Sequence, residues 1–434
     1  MLATKPKQQN LAGHLLLVMI LASVLAGLGL SDFLWLAGPC GAAAMILLWP
    51  RTRRIQRIQC ITFIAVGLVA LTWALLIGYG QIPVLQLMTQ NQSLISMLCA
   101  VTFLRLITRT DTDVDHVQVG GEKSFVHTLA GLHLFASVIN LSALVIFADR
   151  LAQVSQLNRV TTTMLQRGFA LAALWSPFYA AMGTSLVYAP GTQLTDLWPV
   201  SLPLCAGGLV FTWLENRYHS NDRLASFTGY PVSFKAIWIP TALVVAVLGL
   251  HALLPAVSVL TLVSALALAT TVAVLIYRHS LLPALTTVRS FSSTRLPDMY
   301  AELALFLSAG VMATGLGALV AQATPQLPIT ELSPVLAIVV LAIMLLLAIS
   351  GVHALITIVA ASAILLPLEP QPALLAFVFL TTWSLGATGS PISGLNLAIQ
   401  SRYNIAISNC FRWNLLYTLT MFAAASLLIL LVFR

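Results

Sequence analysis

The residues best suited to chemistry in this chain fall into two sets with matching spacing. Gly131-Leu132-His133 is followed by Ser142-Ala143 and, after a connector, by Trp175-Ser176 and Ser185. Gly351-Val352-His353 is followed by Ser362-Ala363 and, after a shorter connector, by Trp383-Ser384 and Ser393. An imidazole can hold a carboxylate or carry a proton near neutral pH, which makes His133 and His353 candidate ligand residues. The competing reading at each is a histidine that ties a turn by bonding a nearby carbonyl. Ser176, Thr184 and Ser185 in the first set, and Thr388, Ser390, Ser393 and Asn396 in the second, add neutral ligands. This is binding chemistry rather than bond-breaking chemistry. The sequence has no H-E-x-x-H, no metal cluster and no G-x-S-x-G elbow.

The second set includes Trp383-Ser-Leu-Gly-Ala-Thr-Gly-Ser-Pro-Ile-Ser-Gly-Leu-Asn396. Glycine permits backbone that other residues resist, and Pro391 removes a donor and disfavours helix in the residue before it. Such a stretch is expected to unwind at membrane depth, which is tolerated only where protein or a watery cavity satisfies it. Its freed carbonyls suit a coupling ion, with Na⁺ the candidate, and its freed N–H groups suit an anion. Gly131, Gly183, Gly351, Gly386 and Gly389 are the glycines assigned to ion coupling. A kink with small residues for close packing is the bland alternative. Trp175 and Trp383 read as packing or interface residues.

These side chains must be positioned by membrane helices. The chain has 434 residues, 59% hydrophobic and 8% charged, against roughly 25% charged for a soluble domain. Apolar runs lie near 12–30, 33–50, 60–80, 84–106, 193–214, 235–254, 256–278, 299–321 and 412–433, and about 20 apolar residues span a bilayer. The net charge of +8 is spread between the runs, which points to cytoplasmic loops and not to nucleic acid. Cys40, Cys60, Cys99, Cys205 and Cys410 are scattered, so neither a disulfide framework nor a metal site is expected. The basic start MLATKPKQQN leads into an uncleaved first helix.

Charge also orients the chain. If residues 120–148 and 333–367 are re-entrant hairpins, and 161–189 and 372–400 are broken helices that cross, about eleven spans result with a cytoplasmic N-terminus. The external turns near 81–83, 190–192, 322–332 and 368–371 then contain no Lys or Arg, as the positive-inside rule requires. This places the hairpins on opposite sides and makes the two halves inverted repeats. The predicted organisation is an extra helix at 1–32, repeat one at 33–214, a cytoplasmic linker at 215–234 and repeat two at 235–434. The 13 Asp and Glu all read as loop or span-end residues. Glu302 and Asp196 lie nearest to membrane depth, and Asp111, Asp113 and Asp115 form a solvated turn. Asn140 has no counterpart in the second set and is expected to pair within its hairpin. A lack of buried carboxylate favours an anionic over a cationic substrate.

In element order the pattern resembles the ion transporter superfamily of secondary carriers, which includes divalent anion/sodium symporters, citrate carriers, arsenite carriers and some sodium/proton antiporters. The resemblance covers nearly the whole chain. It implies hairpin tips at Ala130 to His133 and Ser350 to Ala354, and broken stretches at Ser176 to Ser185 and Gly386 to Asn396. Those symporters carry Ser-Asn-Thr at the tips, where this chain has Ala-Gly-Leu-His and Ser-Gly-Val-His. The resemblance also implies a homodimer working by an elevator-type motion.

The expectation is an all-α polytopic membrane protein of the inner (plasma) membrane. It would be a secondary transporter for a small carboxylate-type anion, coupled to Na⁺ or H⁺, with the lipid bilayer as its other partner and no cofactor. The alternatives are a sodium/proton antiporter on the same scaffold, which should need a buried carboxylate, and a non-transporting membrane enzyme or assembly subunit.

Overall fold

A computed structural model describes residues 6–107, 120–219, 224–229, 234–323 and 331–433. Apart from turns and one isolated bridge between Gly120 and Thr228, the described residues build helices. In chain order these are α1 Pro6–Gly27, α2 Leu34–Leu48, α3 Arg54–Leu76, α4 Val84–Thr89 and α5 Gln92–Thr102. Next come α6 Glu122–Ile139, α7 Leu141–Val154, α8 Arg159–Leu171, α9 Ala180–Tyr188 and α10 Leu194–His219. The second half holds α11 Phe234–Leu253, α12 Val259–His279, α13 Leu281–Thr294 and α14 Tyr300–Ala323. It ends with α15 Pro334–Ile349, α16 Ala354–Leu365, α17 Pro372–Gly389, α18 Gly394–Tyr403 and α19 Ile407–Val432. Among the described residues, eight helical stretches are long and apolar enough to cross a membrane. The chain is a polytopic, all-α membrane protein.

The helices cluster into two compact units, and each draws on both halves of the chain. Unit 1 is Met1–Arg109 with Leu243–Pro328 and Ser362–Ile364; unit 2 is Thr110–Ala242 with Ile329–Ala361 and Leu365–Arg434. In unit 1, α1 packs on α2, α5, α12 and α13, burying Leu16, Met19 and Ile20. Gly13 allows this closeness, because a Cβ there would strike the backbone of Ser292. α3 and α14 cross with Gly67 and Gly315 face to face. Small residues at such crossings let helix backbones approach where lipid offers no hydrophobic drive.

One reading of unit 1 needs correction. The apolar run at 84–106 is not one span, since Asn91 interrupts it between α4 and α5 and donates its Nδ2 to the Phe306 carbonyl at 2.8 Å. Residues 281–294, between the apolar runs at 256–278 and 299–321, form the helix α13.

Unit 2 contains the same succession twice: a helix-turn-helix, a helix interrupted by an extended break, and a long helix. In the first half these are α6/α7, α8/α9 and α10; in the second, α15/α16, α17/α18 and α19. Part of the predicted linker at 215–234 belongs to the folded body, because α10 runs on to His219 and buries Glu215 and Asn216. The acidic Asp111, Asp113 and Asp115 and most of the turn at 322–332 lie outside the described residues.

Candidate functional site

Both breaks in unit 2 fall at a Ser-Pro pair. α8 passes through a short 3₁₀ turn at Ala172–Leu174, and α9 starts only at Ala180, with Ser176-Pro177 between. α17 stops at Gly389, and α18 starts at Gly394, with Ser390-Pro391 between. Proline lacks the N–H that a continuing helix needs and pushes the preceding residue out of helical backbone. Ser390 is accordingly extended, with ψ 128°. The breaks are shorter than expected. Gly183, Thr184 and Ser185 are helical in α9, Gly386 and Thr388 are helical in α17, and Asn396 sits in the first turn of α18.

Each helix-turn-helix places its tip against the break of its own half. The second tip is Ser350 to His353, with Gly351 at φ +104°. A Cβ on Gly351 would lie 3.0 Å from Ile392 Cδ1, inside the second break. The first tip is not at Ala130 to His133. That stretch, Gly131 included, is continuous helix in α6, because nothing in it lacks an N–H or demands positive φ. The chain turns instead at Asn140, at φ +50°, and Asn140 Nδ2 donates to the Phe178 carbonyl in the first break at 3.1 Å. Asn140, which had no counterpart in the sequence, is thus the positional partner of Gly351.

The first break is closed by protein groups. Ser176 Oγ donates to the Ser137 carbonyl on α6 and accepts from the Phe178 N–H at 3.2 Å. Trp198 Nε1 donates to the Trp175 carbonyl at 3.1 Å. His133 is buried, with Nδ1 on the Gly168 carbonyl at 2.9 Å and Nε2 accepting from Trp175 Nε1 at 2.9 Å. Both ring nitrogens are therefore engaged in tying α6 to α8 and to the break. Thr184 bonds back to the Ala180 carbonyl at 2.7 Å. Ser185 is fully buried and its hydroxyl has no partner among the described residues. In the second half, His353 Nδ1 accepts from the Leu355 N–H at 3.2 Å, and its ring meets Trp383 edge-on.

The second break gathers Thr388, Ser390, Ser393 and Asn396. Ser393 caps α18, accepting from the Asn396 N–H at 3.1 Å and donating to the Ala387 carbonyl at 2.7 Å. Asn396 Nδ2 donates to the carbonyls of Thr388, at 3.1 Å, and Ser390, at 2.8 Å. Thr418 Oγ1, buried and without a partner among the described residues, lies 3.2 Å from where a Gly389 Cβ would stand. Gly386 serves packing, since a Cβ there would be 3.2 Å from Ala348 Cβ on α15.

Residues from both halves continue this cluster. Gln166 Nε2 donates to Asn396 Oδ1 at 2.6 Å, and Asn414 Nδ2 donates to Gln166 Oε1 at 2.7 Å. Arg167, fully buried, donates Nε to Asn414 Oδ1 at 2.8 Å, one terminal nitrogen to Glu215 and the other to the Trp413 carbonyl at 2.8 Å. Its guanidinium lies 4.5 Å from the centre of the Tyr417 ring. Glu215 is also paired with Arg159 at 3.1 Å. The reading that carboxylates sit in loops or at span ends holds for Glu215 by position, but its side chain is buried and paired rather than solvated. Asp196 is exposed at the start of α10, while Glu215, near the other end of that helix, is buried. Removing one partner of such a buried pair typically costs about 3–5 kcal/mol. Gln166, Arg167, Glu215 and Asn414 were missed as site residues. The available signal was a polar or charged residue inside or beside an apolar run, where such groups are expensive.

Arg402 on α18 grips Asp149 on α7 through Nε at 2.8 Å and a terminal nitrogen at 2.6 Å, and Tyr403 donates to the same carboxylate at 2.7 Å. The Arg402 hydrogen bonds hold the Asp149 carboxyl below the usual range, with partial burial opposing and Tyr403 assisting. A groove of about 640 Å³ occurs in unit 1, between Trp35 and the Ile82–Gln90 segment, and among the described residues no titratable side chain lines it.

Among solved structures, the fold matches that of the YdaH transporter of Alcanivorax borkumensis, whose crystal structure was described as revealing an unusual topology. The TM-score is 0.53 with 13% identical residues, over 86% of this chain and 97% of that one. At this identity the likeness is one of fold. No protein-family model matches the sequence, and no curated protein matches it.

Proposed function

We propose that this protein is a secondary active transporter that moves a small anionic, carboxylate-type solute across the inner membrane, coupled to Na⁺ or H⁺. The observation that carries the reading is the paired contact of each helix-turn-helix tip with the Ser-Pro break of its own half, Asn140 on Phe178 and Gly351 on Ile392. Non-helical backbone at membrane depth is costly unless it lines a binding site or is buried in protein, and opposed half-helices are how carriers present helix termini to substrate. The shared fold with the YdaH transporter supports the same class. The superfamily resemblance, inverted repeats, re-entrant hairpins and a homodimer belong to this proposal.

The antiporter reading gains a candidate in Glu215, the buried carboxylate it requires. Both Glu215 oxygens, however, are engaged by arginines, Oε1 by Arg159 and Oε2 by Arg167. That arrangement favours a fixed ion pair over an exchanging proton site. The test is uptake of radiolabelled small carboxylates and inorganic anions by proteoliposomes under an imposed Na⁺ or H⁺ gradient. Uphill accumulation of a carboxylate driven by one gradient is expected. Gradient-driven exchange of the cations alone would replace this reading with the antiporter.

A further inference from the structure

The side-chain amides at the second break form a chain with a single permitted direction. A guanidinium only donates, whereas a carboxamide donates from nitrogen and accepts at oxygen. Arg167 Nε therefore requires the oxygen of Asn414, which turns the Asn414 nitrogen toward Gln166 Oε1 and the Cys410 carbonyl at 2.7 and 2.8 Å. Gln166 must then present its own nitrogen to Asn396 Oδ1. Asn396 is left with its nitrogen facing the break, where its two hydrogens meet the carbonyls of Thr388 and Ser390. Amide orientation is ordinarily ambiguous, but a donor-only group at one end and two carbonyls at the other leave one assignment.

We infer that Arg167, acting through Asn414 and Gln166, is a positioning residue that keeps the Thr388 and Ser390 carbonyls capped. The two carbonyls of the second break are thereby already occupied by a protein donor and do not form an open carbonyl cage for a cation. This departs from assigning the carbonyls freed there to Na⁺. It rests on reading the break as facing a ligand, but its consequence is measured without transport.

Two substitutions reverse the chain from different positions. Asn414→Asp accepts from Arg167 but cannot donate to Gln166, so the Gln166 amide turns round and drives the Asn396 oxygen toward the break. Gln166→Glu accepts from both neighbours and has the same effect on Asn396. Electrostatics alone favours the first of these. Arg159 and Arg167 face the single carboxylate of Glu215, and Asn414→Asp would supply a second anion.

The experiment follows thermal unfolding of the full-length protein in detergent as NaCl replaces choline chloride at constant ionic strength. Both reversing variants are expected to gain a Na⁺-dependent rise in midpoint that half-saturates about tenfold or more below the wild type, because an ion that binds only the folded state stabilises it. Asn414→Ala and Gln166→Ala, which cut the chain without reversing it, should track the wild type, as should Arg167→Lys, which keeps a donor-only cation. Reversing variants that track the wild type, or alanine variants that move with them, overturn the inference. If the two reversing variants fail to fold, the buried carboxylate each introduces is cause enough, and the inference loses its support and falls. If the alanine variants fail equally, the network is packing alone and the inference falls.

Discussion

Trp175 donates its indole N–H to Nε2 of His133 at 2.9 Å, while Nδ1 of the same ring lies 2.9 Å from the Gly168 carbonyl. The carbonyl only accepts and the indole only donates, so the ring carries its proton on Nδ1. His133 behaves as a clamp between the first break and the two helices beside it.

His133→Ala should therefore cost stability before it costs affinity. The substitution orphans the buried Gly168 carbonyl, a loss of about 1–3 kcal/mol, and leaves the half-buried Trp175 Nε1 without its acceptor. A clearly lower thermal midpoint is the expected result. A variant as stable as the wild type but unable to transport would instead make His133 a ligand residue.

Ser390 and Asn396 should separate in the same two measurements. The bonds described for Ser390 are made by its backbone, so Ser390→Ala is expected to weaken uptake with the midpoint unchanged. Asn396→Ala removes the cap on two carbonyls and should lower both. Normal uptake by both variants would move the binding centre away from the second break.

Two glycines should respond oppositely to alanine. Gly351 holds φ +104° and its added Cβ would press on Ile392 at 3.0 Å, so Gly351→Ala should destabilise by at least about 1 kcal/mol. Gly394 opens α18 and a Cβ there meets nothing within 4 Å. Gly394→Ala should then be neutral or stabilising by up to about 1 kcal/mol. Equal effects of the two, read from chemical or thermal unfolding, would contradict the tip geometry.

The Asp149–Arg402 pair predicts a pH signature. The Asp149 carboxyl is lowered in the folded protein, so its contribution is whole above the unfolded carboxylate value of about 3.9. It is lost as pH falls through the lower folded value. Midpoints of the wild type and Asp149→Asn should differ by a constant amount near neutral pH and converge only below that range. A gap that persists into strong acid would assign the loss to packing rather than charge.

The sequence by itself determined the class of protein and where its helices fail. Long apolar runs require helices in a bilayer, because every backbone polar group must be satisfied without water. Pro177 and Pro391 break their helices for reasons confined to one or two residues. The duplicated Gly-x-His signature misled about register. His133 lies two helical turns before the first tip whereas His353 closes the second, while Asn140 and Gly351, unlike in type, share a role because either can hold positive φ. Only the tertiary structure decided what satisfies each break, since the caps come from distant segments: Ser137 and Trp198 for the first, and Gln166, Asn414 and Arg167, by way of Asn396, for the second. Local spacing contains no information about which amide 230 residues away will accept a hydrogen bond; that is settled when the helices pack and their buried donors must find acceptors.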